Sequence, residues 1–262
     1  MLFFPNAKIN IGLNITSKRA DGYHNLESIF YPIAWRDILE IIPSKQLCFV
    51  STGLSIPVQD NLCLKAYELI KIHYGITPVS IHLHKNIPIG SGLGGGSSDA
   101  AFTLIALNTI FELGLEKDEL KKMASKLGAD CPFFIENIPS LASGIGELLY
   151  PSDLDLSNYH LLVVKPDIFI STKKAFSAVV PQKPTLSLEE EIKIPIEKWT
   201  LKNDFEDSIF IQYPELLEIK KSLIRAGALY ASMSGSGSSI YGIFSQKPEL
   251  EFDNDQLFHQ VL

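Results

Sequence analysis

The residues of this chain best suited to chemistry are concentrated in one stretch, Pro88-Ile89-Gly90-Ser91-Gly92-Leu93-Gly94-Gly95-Gly96-Ser97-Ser98-Asp99-Ala100-Ala101, directly before an apolar run that ends at Phe111. Glycines at 90, 92, 94, 95 and 96 remove Cβ atoms, so backbone N–H groups can close on an anion. A helix beginning there adds unpaired donors and the positive end of its dipole. The chemistry this predicts is the holding of phosphate. Ser97 and Ser98 read as N-caps of that helix, with hydroxyls equally able to serve a phosphate oxygen or a metal ion. An ordinary surface turn would need a single glycine.

Other side chains with chemical potential lie outside the loop. Lys8 and Asn10 share one face of an alternating segment, with Gly12 leaving space beside them. On that segment alone Lys8 reads as a solvated strand lysine. Asp130, in Gly128-Ala129-Asp130-Cys131-Pro132-Phe133-Phe134, is an acid at the edge of apolar surroundings. It suits either a carboxylate held for use or a turn cap. Tyr23 and His24 stand at a hairpin mouth, where they could flank a flat ligand or pack the turn. His82 and His84 share a strand face and are compatible with a metal; no third ligand is suggested nearby, and a plain exposed face is expected.

These groups must be carried by regular elements, and the periodicity predicts which. Residues 7–16 alternate as a strand with one buried face, Asp21-Gly22 marks a turn, and 23–31 return as a second strand. Short strands at 38–42 and 48–51 continue what reads as antiparallel β structure. Residues 61–74 form a helix capped by Asp60 or Asn61 and stopped by Gly75. A half-exposed strand at 79–83 leads into the glycine loop, and helices at 100–111 and 117–127 follow, ended by Gly114 and Gly128. A glycine hairpin at 143–147 and a polar connection predict a boundary that divides 1–150 from 151–262. Beyond it come a strand at 159–164, a helix near Thr172 carrying Phe176, and a proline- and glutamate-rich connection or weak helix at 181–195. A helix at 214–226 and two strands, 229–233 and 240–244, flank a second glycine turn at 234–238. The whole is α+β.

Composition narrows the function. A hydrophobic share of 46% with 20% charged residues is that of a folded globular chain of 262 residues. The net charge of -7 argues against nucleic acid or an anionic membrane surface as the main partner, since both ask for clustered Lys and Arg. Cys48, Cys63 and Cys131 are too widely spaced for a disulfide framework and are expected as reduced thiols. With no apolar run of spanning length and no signal segment, a cytoplasmic protein is expected.

Three kinds of phosphate loop compete. A Walker loop needs a Lys at its end, where Ser97 and Ser98 stand instead. Gly90, Gly92 and Gly95 meet the dinucleotide pattern formally, but the strand before them alternates, whereas a Rossmann first strand is apolar throughout. The third kind fits: the loop resembles the signature of the GHMP kinase superfamily. Ala7-Lys8-Ile9-Asn10 with Arg19-Ala20-Asp21-Gly22-Tyr23-His24, the segment from Gly128 to Phe133, and Met233-Ser234-Gly235-Ser236-Gly237-Ser238 are similar to three further signatures of one branch, in the same order. That branch acts on a cytidine-diphosphate-linked methylerythritol. The departures are Asp99, Ser234 and Ser238, where Asn, Thr and Ala are also seen, and a somewhat short chain.

The resemblance implies a two-lobed α+β fold, with an N-terminal lobe like ribosomal protein S5 domain 2, a ferredoxin-like C-terminal lobe and the active site in the cleft. It implies phosphorylation of the substrate's 2-hydroxyl by ATP with Mg²⁺, within the non-mevalonate route to isoprenoid precursors. Asp130 becomes the general base and Lys8 the partner that keeps it ionised. Pro88, Gly90, Ser91, Gly92, Leu93, Gly94, Gly95, Gly96, Ser97 and Ser98 would hold the ATP phosphates, and Asn61, Leu62 and Lys85 would lie near the adenine. Asn10, Tyr23, His24, Phe30, Thr172 and Phe176 would take the cytidine end, Tyr23 and Phe176 sandwiching the ring while His24 reads its edge. The partner is a small molecule, with no nucleic acid and no membrane, and the chain a monomer or weak homodimer. A sister kinase for mevalonate, homoserine or a sugar leaves the Tyr23 hairpin unexplained. A silent ligand sensor on the same fold would be expected to lose Lys8 or Asp130.

Overall fold

The computed structural model describes residues 1–57, 59–182, 184, 186–250 and 256–261, the last stretch for its backbone. In chain order the strands are β1 (Leu2–Phe3), β2 (Asn6–Lys18), β3 (His24–Arg36), β4 (Ile38–Pro43), β5 (Cys48–Gly53), β6 (Val79–Lys85), β7 (Ser140–Ser143), β8 (Leu148–Pro151), β9 (His160–Lys165), β10 (Tyr230–Met233), β11 (Ile240–Phe244) and β12 (Gln256–Val261). The helices are α1 (Leu62–Tyr74), α2 (Gly95–Ile110), α3 (Lys117–Ala124), α4 (Phe133–Glu136), α5 (Thr172–Ser177), α6 (Leu188–Glu191), α7 (Glu206–Gln212) and α8 (Pro214–Arg225). They fall into two compact units that alternate along the chain. The first comprises Met1–Ala7, Ala34–Ile89 and Gly94–Ile138, the second Lys8–Ile33, Gly90–Leu93 and Pro139–Leu262.

The first unit is built on a sheet of order β1-β4-β6-β5. β4 pairs with β6 antiparallel, but β5 pairs with β6 in parallel, Phe49 opposite Ile81, which corrects the antiparallel expectation. The cause is the connection: α1 crosses over between β5 and β6, and a helical crossover returns the chain in the same direction. α1 is amphipathic, burying Cys63, Ala66, Tyr67 and Ile70; Asn61 caps it by accepting from Cys63 N–H at 2.9 Å, and Gly75 ends it at φ 65°. α2 starts at Gly95, five residues earlier than its apolar run, with Gly94 as N-cap at φ 71°. Ser97 and Ser98 therefore lie inside the first turns and are not the caps that were expected. A glycine reaches the left-handed region without a Cβ penalty, so the turn closes on backbone alone. α4, which begins three residues after Asp130, was not anticipated.

The second unit holds two sheets, β2-β3-β7-β8 and β10-β11-β9-β12. β2 was expected to bury one face, and it buries both: Lys8 and Asn10 are each 3% exposed. The second face is covered because Gly12 admits Leu188 of α6, and Gly235 sits over the Asn10 side chain. The predicted glycine hairpin joins β7 and β8. α6 carries a capping box, Ser187 with Glu190, that gives order to the weakly predicted 181–195 stretch; Lys183 and Thr185 of that stretch lie outside the described residues. α8 opens with Pro214 and packs its Leu216, Ile219 and Leu223 stripe against β10 and β11. Phe205, Ile209 of α7, Val164 and Ile240 close that core.

Candidate active site

Within the second unit the first part of the glycine loop is bound to the second glycine turn. Ser234 Oγ donates to the Gly92 carbonyl at 2.9 Å, and Ser239 N–H donates to the Ser91 carbonyl at 3.1 Å. A side chain on Gly92, at φ 79°, would collide with the Ser234 carbonyl, so the approach requires glycine. Asn203, which sequence reasoning missed, donates from Nδ2 to the carbonyls of Met233 and Gly235, both at 2.8 Å. A polar residue between helices gives no sequence signal that it braces a turn thirty residues on. Phe169, also missed, lies against Gly90, where a Cβ would come within 2.6 Å of its ring.

The same unit places Lys8. Its ammonium donates to Asn10 Oδ1 and, at 3.4 Å, to the Gly92 carbonyl, and stands 4.7 Å from the centre of the Phe30 ring. Its backbone N–H donates to the Leu93 carbonyl at 2.9 Å, so the lysine and the loop share one hydrogen-bonded framework. Asn10 Nδ2 donates to Ser28 Oγ at 2.8 Å, which fixes the amide's orientation toward Lys8. Phe30 is buried beneath the lysine. At the hairpin mouth Tyr23 is 61% exposed, while His24 and Phe176 stack on each other with centroids 5.3 Å apart. Phe176 also meets Phe205 edge-on at 4.8 Å. Thr172 Oγ1 lies 3.3 Å from Ser236 Oγ of the second glycine turn.

The first unit places the rest of the loop and the candidate base. Leu62 Cδ1 is 4.0 Å from where a Gly96 Cβ would stand, so Asn61 and Leu62 flank the start of α2. The Gly128 to Cys131 turn lies against the same helix: a Gly128 Cβ would be 3.3 Å from Cys131 Sγ and 4.0 Å from Ser97 Oγ. Burial pushes the Cys131 thiol up to about 12, eased by the Ser97 hydroxyl and aided by the Asp130 charge. Cys131 is thus an inert thiol that anchors the turn. Asp130 is half-buried in that turn, next to Cys131 and three residues before α4 begins. His82 Nε2 and His84 Nδ1 each lie 3.0 Å from Thr52 Oγ1 on β5.

Lys85 is 2% exposed, and its ammonium is paired with Asp37 and, at 2.7 Å, with Asp99. Burial alone would lower the Lys85 pKa, but the two carboxylates more than offset it and raise it. Asp99 is pushed up to about 7, by burial first, against the pull of Lys85 and with the repulsion of Asp37. Asp37 had no sequence signal, because an acid at a strand junction reads as a surface residue.

A glycine loop that opens a helix, with a carboxylate-bearing turn lying against that helix, is an arrangement suited to small-molecule phosphoryl transfer. The family model for "GHMP kinases N terminal domain" matches residues 61–137, and that for "GHMP kinases C terminal" matches 190–258. A Parabacteroides distasonis protein named 4-diphosphocytidyl-2-C-methyl-D-erythritol kinase is 51% identical over 262 residues, covering 98% of this chain and 96% of its own. A Bacteroides thetaiotaomicron protein of the same name is 52% identical over 258 residues, covering 95% and 94%. The crystal structure of a 4-(cytidine 5'-diphospho)-2C-methyl-D-erythritol kinase superposes with a TM-score of 0.81 at 33% identity, covering 93% of this chain and 90% of that one. A Methanococcus jannaschii mevalonate kinase shares the fold, with a TM-score of 0.71 at 16% identity over 99% and 97% of the two chains. The chain belongs to the 4-diphosphocytidyl-2-C-methyl-D-erythritol kinase family of the GHMP kinases. It is a kinase with ATP as phosphoryl donor and a small-molecule acceptor. Among the described residues no helix is long and apolar enough to cross a membrane.

Proposed function

We propose that this chain transfers the γ-phosphoryl group of ATP to the 2-hydroxyl of 4-diphosphocytidyl-2-C-methyl-D-erythritol, giving the 2-phosphate and ADP, in the non-mevalonate supply of isoprenoid precursors. The observation that carries this reading is the likeness to relatives of that name over nearly the whole chain, 51% over 262 residues. Phosphoryl transfer asks the protein for an aligned alcohol, a sink for its proton and donors around the moving group. Asp130 takes the proton from the 2-hydroxyl. Lys8, through its positive charge, keeps that base ionised and orients the alcohol. Its hydrogen bonds to Asn10 and Gly92 support this role, because they hold the ammonium in one place.

The loop from Gly90 to Ser98 receives the ATP phosphates on its backbone N–H groups and the Ser97 hydroxyl, with Pro88 shaping its entry and the side chains of Ser91 and Ser98 buried behind it. Asn61 and Leu62 lie along the adenine. Among the described residues no group of three or more His, Cys, Asp or Glu side chains is set to hold a metal. Mg²⁺ would arrive on the nucleotide and neutralise charge at its phosphates, and the hydroxyl of Ser97 at the start of α2 could help to hold it. Tyr23, His24 and Phe176 take the cytosine, with Asn10, Phe30 and Thr172 beneath and beside the rest of the substrate. The functional lobes are 1–150 and 151–262, which keeps the two family matches on opposite sides of the division. The protein works in the cytoplasm as a monomer or weak homodimer.

The test is release of ADP from Mg-ATP with a panel of acceptors. Turnover with the cytidyl substrate and not with mevalonate or homoserine is expected; comparable turnover with either of those, or none with any acceptor, overturns the reading.

A further inference from the structure

Beneath the first turn of α2 lies a buried triad of charges, Asp37, Lys85 and Asp99, exposed by 0%, 2% and 3%. We propose that this triad is a positioning device for the donor loop: Lys85 sets the start of α2 from below, and its side chain acts on ATP through the backbone at Gly95 and not by touching the nucleotide. The inference rests on the reading of Gly90 to Ser98 as the phosphate loop and goes beyond it in saying what holds that loop.

The geometry ties both ends of the segment to one lysine. Asp37 Oδ1 accepts from the N–H of Asn86 at 2.6 Å and of Ile87 at 2.8 Å, fixing the chain as it leaves β6. The other oxygen of Asp37 takes the Lys85 ammonium. That ammonium reaches Asp99 Oδ2 on α2 at 2.7 Å. A Cβ on Gly95 would stand 3.0 Å from Lys85 Nζ and 2.9 Å from Ile87 Cγ2, so the helix backbone rides directly on the lysine. A cation under a helix N-terminus is repelled by the dipole. It stays there because two carboxylates hold it, and Asp99 is the one that belongs to the helix. Among the described residues the second Asp99 oxygen, Oδ1, is buried without a hydrogen-bond partner, an unmet desolvation cost at this position. From α1 the Cys63 thiol faces the same triad and is pushed well above its usual range, by burial first and then by the Asp99 charge, so it adds no competing charge.

Loops that hold phosphate depend on donor position to a fraction of an ångström, and a displacement of about 1 Å can cost a factor of roughly a hundred. Lys85→Met alone leaves two buried carboxylates unpaired and is expected to fold poorly. The test therefore uses two other variants of the full chain. Lys85→Met combined with Asp99→Asn removes the tether while keeping the net charge of the triad at about -1, and Lys85→Arg keeps the charge but forces a larger group under Gly95. Steady-state kinetics with ATP and with GTP, beside thermal melting, read the outcome. For each variant that melts cooperatively, the expected result is a KM for ATP raised about tenfold or more. The ratio of ATP to GTP use should match wild type, and KM for the cytidyl substrate should stay within about twofold. A collapse of the ATP preference would mean that the Lys85 side chain reads the base, and an unchanged KM for ATP in a folded variant would mean that the triad only stabilises; either overturns the proposal. If neither variant folds, the triad belongs to general stability and the proposal falls. Wild-type turnover with the cytidyl substrate, measured alongside, separates these failures from failure of the kinase reading.

Discussion

Asp130 and Tyr23 stand at opposite extremes of environment, and their substitutions should differ accordingly. Asp130 is lodged in a turn pinned by the buried Cys131 and continued by α4. As the base proposed above it would act in the transition state, so Asp130→Asn is expected to lower kcat by about 10²- to 10⁴-fold with the KM for ATP changed only slightly. Near-wild-type turnover would remove it from that role. Tyr23 is 61% exposed on the hairpin and contributes little packing. Tyr23→Ala should leave the melting temperature unchanged while raising KM for the cytidyl substrate by roughly five- to 150-fold, the equivalent of about 1 to 3 kcal/mol of stacking on a base. An unchanged KM would leave His24 and Phe176, already stacked at 5.3 Å, as the aromatic platform on their own.

The elements that matter most are the two glycine turns, which act as one piece. Gly92 has φ 79° and no room for a side chain beside Ser234, whereas Gly114 has a similar φ of 67° with open space around it. The pair separates two costs of alanine. Gly114→Ala should lose only the backbone term, about 1 kcal/mol. Gly92→Ala must also push the second turn away, so it should melt several degrees lower than Gly114→Ala and lose kcat/KM by more than tenfold; equal melting of the two variants would mean that the turns do not interlock. Much of this scale was legible in the sequence. The caps at Asn61 and Gly75, the hairpin at Gly144 and the strand carrying Lys8 all announce themselves by local rules. What was not legible depends on partners distant in sequence. β2 looks half-exposed until α6 and the turn at Gly235 cover it, β5 looks antiparallel until the α1 crossover is counted, and α2 looks as if it starts at its hydrophobic run because glycine seldom opens a helix by itself.

At the scale of the whole molecule, stability should carry the signature of one buried group. Asp99 is pushed up to about 7, chiefly because burial disfavours its charge, and in the unfolded chain it returns to an ordinary value near 3.8. A carboxyl whose folded value is raised binds its proton more tightly when folded. Its contribution is therefore fully present below the unfolded value and is lost as pH climbs through the folded one. Stability should accordingly fall as pH rises from about 5 to 8, by an amount on the order of a few kcal/mol. Asp204 is raised as well, by burial first, and adds a pH dependence of the same sign, so the wild-type curve alone does not isolate Asp99. Asp99→Asn does, because the carboxamide keeps the shape and an acceptor for Lys85 while removing the titration. Denaturant unfolding of the two proteins should give curves that lie close at pH 5 and separate by pH 8, with the Asn variant the more stable. Parallel curves would mean that Asp99 keeps its charge in the folded state throughout, the Lys85 pairing outweighing burial.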